Sequence, residues 1–374
     1  MPMQPSGHDG DSSPFHQVRK TPRALDPGCL LVGLAKPTRT REHGRMASDD
    51  YQGTSLPNAR ETPRFAGVTT FCRFPLLEHD STDVDALDWV LYGIPYDGGV
   101  TFRPGARFGP RAIRAASQYV KPYHLELDVD IAARLHMADA GDAPVRPYST
   151  RETLEGAAAF ASSLGNPART KLFAIGGDHS IAYANIKATW ERRGRPEGGL
   201  PLLHFDAHLD TADTVWDEKW THASPFIRAI ENGLINPQRM LSVGIRGPLN
   251  TSSDLDYGRT HGVNIITCRQ WETGEGPERM DAFLAALGDD EVYLTFDIDC
   301  VDPAFAPGTG TPCPGGFSSN EALELIRRCA GIRLAGADLV EVLPDRDPTG
   351  STALLASHLL AEILALDALK VVSA

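Results

Sequence analysis

From about residue 85 onwards, short apolar runs alternate with segments that have helical periodicity. The apolar runs are almost continuously hydrophobic, which is typical of strands that are buried on both faces of a parallel sheet. We predict strands over residues 89–94, 171–175, 200–205, 240–245, 263–267, 292–296 and 334–340.

Helices are predicted between these strands. Residues 110–119 begin with proline, which suits a first helical turn, and residues 151–164 are rich in alanine. Residues 319–330 follow Ser318, which lies three positions before Glu321 in the spacing of a capping box. This alternation predicts an α/β fold, in which helices cover both faces of a mainly parallel sheet.

The two ends of the chain have different patterns. Residues 1–60 are rich in Pro, Gly, Ser and charge, so we predict an extended or flexible segment there and one catalytic domain over residues 61–374. No apolar stretch reaches the roughly 20 residues of a membrane helix. The apolar run 354–369 is interrupted by ionisable residues and predicts a packed helix. Without a signal-peptide pattern, the expected location is the cytoplasm.

The net charge narrows the classes of partner, and the cysteine content predicts the redox state of the thiols. The net charge is −13 and the isoelectric point is about 5.4. We expect no nucleic-acid partner, because phosphate binding needs clustered Lys and Arg. An acidic surface suits a cationic substrate, although solubility explains it equally well. The six cysteines are scattered without a CxxC pair, which predicts reduced thiols.

Three segments that follow predicted strands carry paired metal-ligand residues. Because ligand crevices lie at the carboxyl ends of parallel strands, these side chains can converge in one place. Within an extended segment, residues at alternate positions also project to the same side. The candidates are His179 after two glycines, then Asp206, His208 and Asp210, and finally Asp297 and Asp299.

Each candidate alone has an ordinary structural explanation, such as an Asp that caps a helix. Together, these carboxylates would repel one another unless cations compensate them. We therefore predict two divalent cations, with Mn²⁺ as the first expectation and Ni²⁺ as the alternative. Two such ions about 3.5–4 Å apart can lower the pKa of a shared water towards about 7, which favours metal-assisted hydrolysis. We expect Asp206 and Asp297 to bridge the ions, His179 and Asp210 to complete one, and His208 and Asp299 to complete the other.

These segments resemble the ureohydrolase family, which includes arginases, agmatinases and guanidino-acid hydrolases. The resemblance implies a three-layer α/β/α fold of the arginase–deacetylase type and a homo-oligomer, either a trimer or a hexamer. It also implies hydrolysis of a small cationic guanidino substrate to urea and an amine. The similarity covers residues 63–370, with long motifs at 93–114, 221–226, 296–316 and 340–347, and an agmatinase-like segment at 65–71.

The resemblance also implies individual roles. All six candidate ligands fall on metal-ligand positions of the family. His222 falls on the catalytic histidine, which shuttles protons, and Glu341 falls on the carboxylate that pairs with the guanidinium group. Asp210 is implied as both a ligand and a proton acceptor. The pairing is physically reasonable, because guanidinium groups form planar contacts with carboxylates.

The identity of the substrate stays open. Trp216 or Trp220 can stack on a flat cation. Asp213 or Asp217 can receive the distal amine of an agmatine-like substrate. Arg103 or Arg107 can instead bind the carboxylate of a guanidino acid. The family commonly has glycine where this chain has Ala223, which restricts the backbone beside His222.

Three alternative functions are open. The first is a guanidine or biguanide hydrolase of the same family. The second is a deacetylase-like amide hydrolase with one zinc ion, which need not retain both carboxylate pairs. The third is a non-catalytic subunit that forms a hetero-oligomer with an active paralogue, which predicts at least one lost ligand. A metal count per subunit, and assays with and without a paralogue, would separate them.

Overall fold

The structure is a computed structural model, and it describes residues 53–77 and 84–370. Most of the predicted N-terminal segment, residues 1–60, therefore lies outside the described residues, and its boundary stays a prediction. Residues 53–60 contain neither helix nor strand. Thr54 joins them to the domain, because its backbone N–H donates to the carbonyl oxygen of Ala132 at 2.7 Å.

The described residues contain ten β-strands. Eight of them form one sheet in the order β4-β1-β5-β10-β9-β6-β7-β8, in which every neighbouring pair is parallel, and β2 pairs with β3 in an antiparallel ribbon. The strands are β1 (Trp89–Ile94), β2 (Tyr123–His124), β3 (Val129–Asp130), β4 (Met137–Asp142), β5 (Lys171–Gly176), β6 (Leu200–Phe205), β7 (Ile235–Ile245), β8 (Asn264–Thr267), β9 (Glu291–Asp297) and β10 (Arg333–Val340).

Ten α-helices connect or flank these strands within the same described ranges. They are α1 (Gly109–Ser117), α2 (Ile131–Arg134), α3 (Thr150–Ser162), α4 (Ala182–Arg192), α5 (Pro225–Glu231), α6 (Asp256–His261), α7 (Cys268–Glu272), α8 (Glu275–Leu287), α9 (Ser319–Arg328) and α10 (Ser351–Ala368).

Helices cover both faces of the sheet. Along β1, Trp89 and Leu91 belong to a core cluster that includes residues of α1, α9 and α10. Val90 and Tyr92 point to the opposite face and belong to a cluster with residues of α3 and α4. This alternation follows from the two-residue period of a strand, and it gives a core on each side of the sheet. The predicted three-layer α/β/α fold is confirmed.

All seven predicted strands are present, and β1 and β6 match the predicted ranges from end to end. The predicted capping box is also present at α9. There the hydroxyl of Ser318 accepts from the N–H of Glu321 at 3.2 Å, and the carboxylate of Glu321 accepts from the N–H of Ser318 at 2.8 Å. Edge strand β4 was not predicted, because its Ala, Gly and Asp residues have low β-propensity.

Helix α10 is long and apolar enough to meet the criteria for a membrane span, but 83% of it is buried inside the protein. It packs between α1 and α9 in the core, as predicted for the apolar run 354–369. The five cysteines among the described residues are all free and buried. Cys300, beside the candidate ligands, belongs to the apolar core.

Candidate metal centre and active site

The candidate residues gather at the carboxyl ends of four adjacent strands in the middle of the sheet. His179 follows β5, Asp206 follows β6, Asp297 ends β9 and Glu341 follows β10. Strands β5 and β6 are consecutive in the chain but are separated in the sheet by β10 and β9. This order brings segments that are distant in sequence to one crevice.

The local backbone differs from the extended conformation that we predicted for residues 206–210. The Oδ1 atom of Asp206 accepts from the N–H of His208 at 2.6 Å, so the chain turns directly after β6. Asp210 then has a left-handed φ of 52°, which is unfavourable for a residue other than glycine. The two ends of the segment converge because the chain bends. The expectation of an extended segment was wrong.

A similar turn follows β9. The Oδ1 atom of Asp297 accepts from the N–H of Asp299 at 2.8 Å, which caps a short 3-10 helix at Ile298–Cys300. Glu341 also has a left-handed φ of 65°, and its N–H donates to the carbonyl oxygen of Gly177. Gly177 packs closely against the backbone of Tyr96, which only glycine allows, because a Cβ there would lie 2.0 Å from the carbonyl oxygen of Tyr96.

One group of ligands surrounds the Nδ1 atom of His179. This atom lies 2.9 Å from Oδ2 of Asp210, 3.1 Å from Oδ2 of Asp206 and 3.3 Å from Oδ2 of Asp297. All four side chains are at least nine-tenths buried. One imidazole nitrogen therefore lies within 3.3 Å of three carboxylate oxygens.

A second group surrounds the Nδ1 atom of His208. This atom lies 3.0 Å from Oδ2 of Asp299 and 3.4 Å from Oδ1 of Asp206. Asp206 therefore presents one carboxylate oxygen to each histidine. The structure brings all six predicted ligands together. Asp206 faces both histidines, whereas the measured contact of Asp297 is with His179 alone, so the bridging role of Asp297 stays a prediction.

The chemistry of these groups fits divalent cations. The Nδ1 atom of His179 is buried and lies within 3.3 Å of three carboxylate oxygens, but it has no hydrogen bond of good geometry to any described residue. Burial, together with the neighbouring carboxylates, raises the pKa of both Asp297 and Asp299 above the ordinary value. Such crowding is unfavourable unless positive charge enters the site, and a mixed carboxylate and imidazole set suits Mn²⁺ or Ni²⁺.

Glu341 has one occupied and one free carboxylate oxygen. Its Oε1 atom accepts from the N–H of His179 at 2.9 Å and lies 2.8 Å from Nδ1 of His222. Its Oε2 atom is buried and has no hydrogen-bond partner among the described residues. A buried acceptor of this kind is costly to leave unpaired, so Oε2 marks the place of a ligand donor.

His222 connects Glu341 to the loop after β1. The Nε2 atom of His222 accepts from the backbone N–H of Thr101 at 3.0 Å, so the proton of the neutral ring is on Nδ1 and is donated to Glu341. Burial disfavours a charged ring, but the nearby Glu341 and Asp178 carboxylates outweigh this and raise the pKa of His222 to about 9. Burial and Glu341 also raise the pKa of Asp178 to about 7.

A cavity of about 880 Å³ opens above these groups, lined by residues that include His208, Asp210, Trp216 and His222. The side chain of Trp216 is 78% exposed at its rim. Arg103 does not line this cavity, and its guanidinium carbon lies 4.8 Å from the centre of the Phe102 ring.

Asp213 also lines the cavity and pairs with Arg228. Ala223, where the family commonly has glycine, does not have a positive φ, so its Cβ is accommodated without backbone strain.

Sequence reasoning missed His204, a fully buried residue of β6. Its Nε2 atom lies 2.8 Å from Oδ2 of Asp206, and its Nδ1 atom lies 3.0 Å from the hydroxyl of Ser242. The available signal was its position two residues before Asp206, which places both side chains on the same face of the strand.

The chain is similar to proteins of a known family. The model of the arginase family matches residues 87–366, about three quarters of the chain. The chain belongs to the arginase family. The agmatinase-like ureohydrolase resemblance predicted from the motifs is therefore confirmed.

Three relatives share more than a third of their aligned residues with the chain. Guanidinopropionase from Pseudomonas aeruginosa is 40% identical over 315 residues, which cover 83% of this chain and 94% of the relative. The mitochondrial agmatinase of Gallus gallus is 39% identical over 82% of this chain and 88% of its own length. Among solved structures, proclavaminate amidinohydrolase from Streptomyces clavuligerus has a TM-score of 0.75 at 36% identity, covering 82% of this chain and 99% of its own.

Proposed function

We propose that this chain is an amidinohydrolase that cleaves a C–N bond of a small guanidino compound, releasing urea and an amine. The observation that carries the proposal is the unpaired, buried Oε2 atom of Glu341 beside two histidine–carboxylate groups. The names of the relatives, guanidinopropionase and agmatinase, support the same reaction and confirm the predicted enzyme class, a hydrolase of C–N bonds.

Glu341 binds the guanidinium group through Oε2, because Oε1 is already occupied by two donors. The neighbouring Gly310 leaves room for this contact, since a Cβ there would lie 3.4 Å from Oε2 and 3.1 Å from the carbonyl oxygen of Arg103. A carboxylate and a carbonyl oxygen can together accept from the planar N–H groups of the substrate. The carboxylates that line the cavity suit the positive charge of the guanidinium group.

His179, Asp206, Asp210 and Asp297 would hold one divalent cation, and Asp206, His208 and Asp299 would hold the other. Bound cations of this kind lower the pKa of water towards about 7 and so make a nucleophile available at neutral pH. We propose Mn²⁺ as the first choice and Ni²⁺ as the alternative.

Two residues move protons. Addition of water to the guanidinium carbon releases a proton, and departure of the amine requires one. Asp210 faces the His179 group and the cavity, so it accepts the first proton and passes it to the leaving nitrogen. His222 lies between Glu341 and the cavity, where it exchanges protons with solvent.

Two residues near the cavity affect the choice of substrate. Trp216 at the cavity rim stacks on the flat cation. Arg103 reaches a substrate carboxylate only if its side chain leaves Phe102.

We also propose that the protein is a cytoplasmic homo-oligomer, with a trimer or hexamer expected. Exposed Phe65, Val68 and Tyr119 offer apolar surface for contacts between subunits. The native mass in solution tests this assembly.

A urea-release assay over a panel of guanidines tests the function directly. The panel contains agmatine, guanidinobutyrate, guanidinopropionate, guanidine and a biguanide, each with Mn²⁺ and with Ni²⁺. We expect urea from at least one compound, and no urea from an Asp206→Asn control. Absence of urea from every compound at full metal loading would contradict the proposal and favour a non-catalytic subunit, which a repeat with a paralogue would then test.

A further inference from the structure

A row of buried polar side chains crosses the sheet directly beneath the ligands. His204 of β6 pairs in register with Ser242 of β7 on one side and with Thr295 of β9 on the other. Thr295 in turn pairs with Asp338 of β10. All four residues are fully buried. Polar groups in such a position are costly unless they are hydrogen-bonded, so a row of four calls for an explanation.

Each end of the row connects to a different candidate ligand. At one end, His204 links Ser242 to Asp206. At the other end, the hydroxyl of Thr295 lies 2.9 Å from Nε2 of His179 and donates to Oδ1 of Asp338 at 2.5 Å. The row therefore supports one histidine and one carboxylate of the proposed centre.

The direction of these hydrogen bonds follows from Asp338. Its Oδ2 atom accepts from the hydroxyl of Tyr293, and its Oδ1 atom accepts from the hydroxyl of Thr295. Since Thr295 has donated its single proton, its oxygen accepts from Nε2–H of His179. In the neutral ring, the lone pair is then on Nδ1 of His179, which lies within 3.3 Å of three carboxylate oxygens.

We propose that Thr295, held by Asp338, is a positioning residue that fixes His179 in the tautomer able to bind a cation through Nδ1. This inference rests on the proposed metal centre, but it concerns metal affinity and does not depend on which guanidine is hydrolysed. A partner that orients a ligating histidine typically changes metal affinity about 10- to 100-fold when it is removed.

The test compares Thr295→Val, which keeps the shape but removes the hydroxyl, with Thr295→Ser, which retains it. The matched control is Thr189→Val on α4, because Thr189 is also buried but its hydroxyl has no hydrogen-bond partner among the described residues. The dissociation constant for Mn²⁺ is measured on the full chain by competition with a fluorescent chelator. Thermal melting of the metal-free proteins verifies folding.

We expect Thr295→Val to weaken Mn²⁺ binding about 10- to 100-fold, while Thr295→Ser and Thr189→Val stay within about threefold of the wild type. Equal affinity of Thr295→Val and the wild type, or equal weakening by the serine variant, would overturn the proposal. If the valine variant does not fold, Thr295→Ala removes the same hydroxyl and is judged by the same criterion. Urea release by the wild type is measured separately, so failure of this inference leaves the proposed function standing.

Discussion

Replacing Glu341 by glutamine changes one acceptor into a donor at the proposed guanidinium site. The amide oxygen can still accept from the N–H of His179 and from Nδ1–H of His222, so the surrounding structure is kept. The amide nitrogen, however, takes the place of Oε2, where it faces the N–H groups of the substrate. The variant removes both the charge and the hydrogen bond that hold the cation.

Leaving one member of a buried ion pair without its partner costs about 3–5 kcal/mol. Since about 1.4 kcal/mol corresponds to a factor of ten in rate, kcat/KM should fall by roughly 100- to 4,000-fold. Metal content should not change, because Glu341 is not among the candidate ligands. The assay is urea release with the best guanidine of the panel, together with elemental analysis of the purified protein.

The matched control is Glu362→Gln, which alters another buried carboxylate. Glu362 lies on α10, where it pairs with Arg327 and His124 away from the cavity. We expect this control to lose stability but keep kcat/KM. A Glu341→Gln enzyme with full metal content and kcat/KM within about threefold of the wild type would refute the anchoring role.

Three other substitutions test separate parts of the structure. Asp206→Asn should abolish urea release and lower the metal content per subunit, since Asp206 faces both histidines; near-normal turnover would exclude it as a bridge. Gly310→Ala should lower kcat/KM about tenfold by crowding Oε2 of Glu341, with metal content unchanged in elemental analysis; no effect would mean that the substrate does not approach this wall. Asp347→Ala should lower the free energy of unfolding at pH 7 by about 1–2 kcal/mol, because Asp347 accepts hydrogen bonds at the start of α10. Burial opposes its ionisation, but these hydrogen bonds prevail and lower its pKa to about 2. The stabilisation that Asp347 provides is therefore complete above about pH 4 and is lost as the pH falls towards 2. Denaturant unfolding of the wild type and the variant at several pH values measures this loss. The same difference in unfolding free energy at every pH would contradict the prediction.

The fold could be predicted because its strands are apolar runs with clear boundaries. Strand β7 was predicted only from residue 240, because its first half, which begins at Ile235, contains asparagine, proline, glutamine and arginine. Strand β4 was missed for a related reason, since its hydrogen bonds to β1 and not its composition make it a strand. In both strands, tertiary pairing overrides local propensity.

The ligands could be predicted because their spacing after strands is a local signal. The turns that orient them could not, because the left-handed conformations of Asp210 and Glu341 are imposed by packing around the crevice. His204 and Thr295 were missed because a single polar residue inside an apolar strand carries no signal by itself. Each lies two positions before an aspartate ligand, and only the register of the sheet reveals that they form one row.

The proposed reaction depends on a pair of cations held by two histidine–carboxylate groups that share Asp206. Anomalous diffraction at the manganese edge, from crystals grown with Mn²⁺, would locate these cations. We predict two ions per subunit, one next to Nδ1 of His179 and one next to Nδ1 of His208, each in contact with a different oxygen of Asp206. A single ion, or an ion bound by His204 in place of His179, would contradict this account.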